Sequence, residues 1–80
     1  MIQKQVNELM IELVAERKRL GISQAEISKK MGSNVASISK YELSKNSIPL
    51  DMFIKYANAV NRTVIITDDN KKVFHIEELK

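Results

Sequence analysis

Seven basic side chains between residues 17 and 45 are the groups in this 80-residue sequence best suited to bind a charged ligand. Only Glu26 and Glu42 oppose them there, so this part of the chain carries a net charge of +5, against +3 for the whole chain. The basic residues are Arg17, Lys18, Arg19, Lys29, Lys30, Lys40 and Lys45. Such a concentration forms either a polyanion-binding face or an ordinary solvated surface, and charge alone leaves both open.

The composition argues against catalytic and metal-binding chemistry. The chain has no cysteine, a single histidine (His75) and only two glycines. It therefore has no thiolate ligand, no histidine paired with a nucleophile and no glycine-rich phosphate loop. We expect no enzyme, no metal and no cofactor. Because apolar runs are short and no signal peptide is recognisable, we also expect a cytoplasmic protein with no membrane partner.

Two short helices joined by a tight turn are predicted over residues 23–42. The segment Ser-Gln-Ala-Glu beginning at Ser23 has the capping-box pattern that starts a helix, and Gly32 can adopt the left-handed conformation that ends it. Asn34, or Ser33, is a suitable N-cap for the next helix. This is the helix-turn-helix arrangement, in which the second helix can enter the major groove of DNA.

The second of these helices has two unlike faces. Its inner side carries Ile38, Tyr41 and Glu42. Its outer side and margins carry Val35, Ala36, Ser39, Lys40 and Leu43. An outer face of this composition is not typical of a helix that only meets solvent.

Flanking segments predict a mostly α fold with a C-terminal β-hairpin. A long amphipathic helix precedes Gly21, and Pro49 begins a fourth helix. The predicted buried stripe of that helix is Leu50, Phe53, Ile54, Ala57 and Val60. Residues 63–67 and 73–76 are rich in β-branched and aromatic side chains, and residues 68–71 between them favour a turn.

The order and spacing of these residues resemble the phage-repressor and Cro-like family of helix-turn-helix transcriptional regulators, also called the xenobiotic-response-element type. The resemblance covers about residues 9–61. The residues that carry it are Arg17, Leu20–Ile27, Met31–Gly32, Ile38–Glu42, Pro49–Asp51 and Ile54–Val60. It implies a four-helix, lambda-repressor-like domain over residues 1–61, with double-stranded DNA as partner, in a bacterial or phage-encoded protein associated with the nucleoid. Ser28, Ser33 and Leu43-Ser44 depart from the family pattern.

The resemblance also implies roles for individual residues. Gln24 would donate a hydrogen bond to a phosphate, and Lys45 with Asn46 would bind phosphate just beyond the third helix. Arg17 and Glu42 would form a structural pair that ties the first helix to the end of the third. The remaining DNA-binding positions, which contact base edges or adjacent backbone, are Asn34, Val35, Ala36, Ser39 and Lys40.

Side-chain chemistry suggests what the third helix could read. Lys40 can donate to guanine O6 and N7, while Val35 and Ala36 can contact a thymine methyl group. Val35 could instead pack back against the second helix. With one long polar side chain per subunit, we expect DNA shape to share in the specificity.

We expect a homodimer built on the C-terminal extension, residues 62–80. A single two-stranded ribbon is marginally stable in water, and a monomer of this size would recognise only a short half-site. We therefore predict that two hairpins join into one sheet across a two-fold axis. The predicted interface residues are Val64, Ile65, Ile66, Val73, Phe74 and Ile76.

Three functions remain open from the sequence. The first is a stand-alone repressor, and the second is an antitoxin that binds both its operator and a toxin protein. The third is a protein-interaction module that has lost DNA binding. That module would show an acidic or apolar face on the third helix, which Lys40 and Lys45 argue against.

Overall fold

A computed structural model describes residues 2–43, 48–67 and 73–76, and within these ranges four helices precede two strands. They are α1 (Ile2–Arg19), α2 (Gln24–Met31), α3 (Val35–Glu42), α4 (Leu50–Ala59), β1 (Val64–Thr67) and β2 (Val73–Ile76). The predicted four-helix fold with a C-terminal hairpin is therefore confirmed. No helix in the described ranges is long and apolar enough to cross a membrane.

Side-chain caps fix where α2 and α3 begin. At α2, the Glu26 amide donates to Ser23 Oγ (3.0 Å) and the Ser23 amide donates to Glu26 Oε1 (3.1 Å), which completes the capping box. Gly32, with φ of +66°, ends α2. The amide of Ser37 then donates to Asn34 Oδ1 (2.9 Å), so Asn34 rather than Ser33 caps α3. These contacts leave three residues for the turn between the helices.

The core lies where α1, α2, α3 and α4 meet. Its buried residues are Met10, Leu13, Ile27, Met31, Ile38, Tyr56, Ala57 and Val60. The predicted α4 stripe is correct for Ile54, Ala57 and Val60, which are buried, and Phe53 packs partly against the core. It is wrong for Leu50, which is exposed. Leu50 is the first residue of α4. Because a helical side chain tilts toward the N-terminus of its helix, the side chain of Leu50 is directed away from the turns of α4 that pack against the core.

Serine at position 28, where the sequence departs from the family pattern, is accommodated in the interior. Ser28 is buried, and its hydroxyl donates to the Ala25 carbonyl oxygen (2.8 Å). A buried hydroxyl that has a partner avoids the desolvation cost of an unmade hydrogen bond. At the departure Leu43-Ser44, the structure describes only Leu43, which is exposed. Ser44 lies outside the described residues.

The C-terminal hairpin packs on the helices through β1. Strands β1 and β2 are antiparallel, with Val64 opposite Ile76 and Thr67 opposite Val73. Val64 is partly buried against the helical core, and β1 contacts α4. The predicted turn at residues 68–71 lies outside the described residues. Asn61, with φ of +64°, ends α4 in the left-handed conformation that asparagine tolerates better than most residues.

Candidate nucleic-acid interface

The outer face of α3 is open to solvent. Val35 is 43% exposed, so part of its surface is open to solvent and part is covered within the chain. Ala36 and Lys40 are also exposed, and Ser39 is half-buried. Asn34 is exposed at the start of the helix, where its Oδ1 is occupied by the cap. Four of the predicted DNA-contacting residues thus follow one another along this surface, with Ser39 at its margin.

The inner face of α3 anchors the helix to the rest of the molecule. Ile38 is completely buried, and Tyr41 packs partly against the same core. α3 packs against both α2 and α1. Because these contacts fix the inner face, they also fix the direction in which the outer face of α3 points.

At the C-terminal end of α3, Glu42 accepts four hydrogen bonds from three other elements. We call Arg17, Gln24, Glu42 and Tyr56 the Glu42 cluster. Arg17 donates through Nε to Oε2 (2.7 Å) and through Nη2 to Oε1 (3.0 Å). Gln24 Nε2 donates to Oε1 (2.9 Å), and the Tyr56 hydroxyl donates to Oε2 (2.6 Å). The cluster therefore joins α1, α2, α3 and α4 at a single carboxylate.

The charged pair within the cluster is shielded from solvent. The side chains of Arg17 and Glu42 are only 9% and 8% exposed. Burial acts to raise the pKa of Glu42, but the hydrogen bonds from Arg17, Tyr56 and Gln24 outweigh it, so that the pKa lies below its usual value of 4.5. Arg17 Nη1 also donates to the Ile22 carbonyl oxygen (2.7 Å). Glu42 is thus an ionised carboxylate with its hydrogen bonds satisfied.

The pairing of Arg17 with Glu42 was implied by the resemblance, but the hydrogen bonds from Tyr56 and Gln24 were not predicted. Tyr56 had no predicted role, although it stands four residues before the buried Val60 and so falls at the margin of the α4 stripe. Its hydroxyl needs a partner once the ring is buried, which is the one sequence signal that could have pointed to it. Gln24 was predicted to donate a hydrogen bond to a phosphate. Its hydrogen bond to Glu42 is a second contact, which was not predicted.

The bond from Gln24 to Glu42 fixes which end of the Gln24 amide faces inward. An ionised carboxylate only accepts hydrogen bonds, so Nε2 and not Oε1 must point toward it. Nε2 carries two hydrogens, and the second remains available to an acceptor outside the cluster. Gln24 is half-buried at the first position of α2, where an anion is favoured by the helix dipole. Lys45 and Asn46, the other predicted phosphate contacts, lie outside the described residues.

The positive charge of this region is carried at the surface. Arg17 is buried and neutralised by Glu42, whereas Lys18, Arg19, Lys29, Lys30 and Lys40 are all exposed. Because Arg17 and Glu42 neutralise each other, these five exposed basic residues are opposed only by Glu26 within the described residues 17–43, which leaves a net surface charge of +4 there. A surface of this kind attracts a polyanion over several ångströms and does so less strongly as salt is added.

Removing the Tyr56 hydroxyl is expected to weaken the cluster without disturbing its packing. In Tyr56→Phe the ring still fills its buried site, but Glu42 loses one donor, so we expect the free energy of unfolding to fall by about 1.5 kcal/mol. Urea unfolding followed by circular dichroism measures the change. Tyr41→Phe is the matched control, because Tyr41 makes no hydrogen bond through its hydroxyl within the described ranges. Equal effects of the two substitutions would contradict the assignment.

Comparison with known proteins agrees with this geometry. A helix-turn-helix family model matches residues 13–65, from the second half of α1 to the second residue of β1. No curated protein and no solved structure matches the chain.

Proposed function

Because the chain belongs to the Cro-like, xenobiotic-response-element type of helix-turn-helix family, whose members are DNA-binding transcription regulators, we propose that it is a repressor that binds a specific operator as a homodimer. In this proposal α3 lies in the major groove and α2 lies against the sugar-phosphate backbone. The observation that carries it is the exposed outer face of α3, with Lys40 projecting from a helix whose inner face is fixed by the buried Ile38.

Sequence readout is assigned to the α3 surface. Lys40 donates to guanine, and the exposed side chains of Val35 and Ala36 contact thymine methyl groups. Asn34 and Ser39 contact base edges or the neighbouring backbone. Asn34 can do so through its Nδ2 hydrogens, since its Oδ1 is used by the cap.

Contacts with the sugar-phosphate backbone of the DNA are assigned to basic and amide side chains on either side of α3 in the sequence. The second Nε2 hydrogen of Gln24 donates to a phosphate, and Lys45 with Asn46 binds another beyond α3. The Glu42 cluster supports this arrangement because it fixes Gln24 relative to the end of α3. Phosphate contacts of this kind set the register of the protein on the duplex but carry no sequence information directly.

Dimerisation is assigned to the extension at residues 62–80, which follows the DNA-binding part at residues 1–61. Ile65 of β1 is 52% exposed, and an exposed apolar strand at the edge of a two-stranded ribbon favours pairing with another copy. Val64 faces the core of its own subunit. The contacts predicted for the side chains of Ile66, Val73, Phe74 and Ile76 lie outside what the structure describes. A two-fold dimer of this kind presents two α3 helices to successive major grooves.

The alternative is an antitoxin that also binds a toxin protein. The observation that favours it is the β-hairpin that follows α4, since this extension offers an apolar strand to a second protein. A small neighbouring reading frame whose product co-purifies with the chain would support the antitoxin over the stand-alone repressor.

Two lysine substitutions test the proposed readout. On operator fragments selected from random DNA, Lys40→Ala is expected to relax base preference at one position per half-site, at a cost of about 1 to 3 kcal/mol of discrimination. Lys45→Ala is expected to weaken binding to all sequences alike and to lower the salt slope by about one per subunit. Binding isotherms at several salt concentrations separate the two effects. If both substitutions lower affinity uniformly, Lys40 is not a base reader.

A further inference from the structure

An apolar groove lies between α1, α4 and the start of β1, and α2 and α3 contribute no residue to it. We call it the α1–α4–β1 groove. It encloses about 310 Å³, with Leu13, Phe53 and Ala57 among the residues of its floor. At its edges Leu9 is 47% exposed and Ile65 is 52% exposed. Apolar side chains exposed around a concave surface indicate a site for another molecule.

We propose that a second copy of the chain covers this groove, which places Leu9, Phe53 and Ile65 within the two-fold interface of the dimer. The inference rests on the proposed homodimer and specifies its surface: the interface extends beyond the hairpin onto α1 and α4. Leu9 lies four residues before the buried Leu13 on α1, and its exposure in the single chain is explained if the partner subunit buries it.

The charges at the groove match a partner of the same sequence. Glu12 and Arg62 both line it, one acidic and one basic. Within the described part of its own subunit, Arg62 forms an ion pair with Glu16, with 3.4 Å between Nη2 and Oε1. Glu12 forms no ion pair there. In a two-fold interface every contact occurs twice with the roles of the subunits exchanged. A groove that carries both signs can therefore pair each Glu12 with Arg62 of the partner subunit.

The groove is continuous with the proposed strand pairing. Thr63, Val64 and Ile65 line it, and among the described strands β1 is hydrogen-bonded only to β2, along one edge. The N–H and C=O groups of the other edge favour pairing with a strand from another chain. A second copy that pairs along β1 would therefore also lie over the groove.

A partner at this position leaves the DNA-binding surface open. The groove is lined by residues of α1, α4 and the segment from Arg62 to Ile65, whereas the exposed residues of the proposed readout are on α3. The dimer can thus form without covering either copy of α3.

Two substitutions on α1 test the proposal in the full-length protein. Leu9→Lys places an ammonium group at the groove, and we expect the dimer dissociation constant to rise about tenfold or more because a partner subunit could then cover the groove only by removing that charge from water. Ile11→Lys is the matched control: Ile11 is 62% exposed on the same helix and does not line the groove. Both variants should keep the wild-type circular dichroism spectrum. Sedimentation equilibrium measures the dissociation constants.

The proposal is overturned if Leu9→Lys dimerises as tightly as wild type, if Ile11→Lys weakens the dimer equally, or if the wild type stays monomeric at every concentration. DNA binding is read separately, by titrating a single half-site at low salt. A Leu9→Lys variant that binds the half-site but no longer dimerises supports the groove and the proposed function together. A wild type that dimerises through the groove but ignores DNA supports the groove and contradicts the repressor.

Discussion

Glu42→Ala is expected to lower the free energy of unfolding by about 3 kcal/mol at neutral pH. The substitution leaves the guanidinium of Arg17 buried with no counter-charge, and removing one partner of a buried ion pair is far more costly than removing an exposed one. Gln24 and Tyr56 lose their acceptor at the same time. Domains of this size are stable by only about 4 to 12 kcal/mol, so a large fraction of the stability depends on one side chain.

Urea unfolding followed by circular dichroism measures this loss. Glu8→Ala is the matched control, since Glu8 is an exposed glutamate on α1 that does not line the groove and has no ion pair in the described part of the chain, and we expect a change within about 0.5 kcal/mol. A loss below about 1 kcal/mol in Glu42→Ala would show that the cluster contributes no more than a surface pair does.

The pH dependence of the same variant provides an internal check. Because the folded-state pKa of Glu42 lies below its unfolded value of 4.5, the stabilisation is fully present above that value. It is lost as the pH falls from about 4.5 through the lower pKa of the folded state, where Glu42 becomes protonated. The difference in stability between wild type and Glu42→Ala should therefore narrow in acid. A difference that stays constant down to pH 3 would contradict an ionised Glu42 as its source.

Truncation after Asn61 is expected to produce a monomer whose affinity for operator DNA is lower by roughly a factor of 10² to 10³. The truncated chain lacks β1 and β2, and with them the proposed pairing between subunits. A monomer reaches one half-site, so it loses both the second set of base contacts and the fixed spacing of about 34 Å between the two α3 helices. Sedimentation equilibrium and DNA titration at one salt concentration measure the two losses.

The helical part should survive this truncation. Among the residues whose burial the structure describes, the last one fully buried is Val60, and Val64 is only partly buried against the core, so most of this described core remains. Retention of the helical circular dichroism signal is the control that separates loss of dimerisation from loss of folding. A truncated protein that is still fully dimeric would refute the hairpin as a dimerisation element. It would also place the interface on the helices alone.

The sequence by itself determined the local features of this protein. The Ser23 capping box, the left-handed Gly32 and the Asn34 cap each depend on residues within four positions of one another, so residue type is sufficient to predict them. The continuous run of β-branched residues from Thr63 to Thr67 predicted the first strand of the hairpin for the same reason. Together these features defined the helix-turn-helix unit and the outer face of α3. The pairing of Arg17 with Glu42 came from the resemblance to the family and not from any local pattern.

Only the tertiary structure decided how these pieces meet. The donors to Glu42 lie 25, 18 and 14 residues away from it in the sequence, on three different helices. Spacing along the chain does not encode which distant side chain faces a given carboxylate, because that depends on where the helices cross. The exposure of Leu50 and the groove beside Leu9 have the same origin: periodicity identifies an apolar residue, but the neighbouring elements determine whether it is covered.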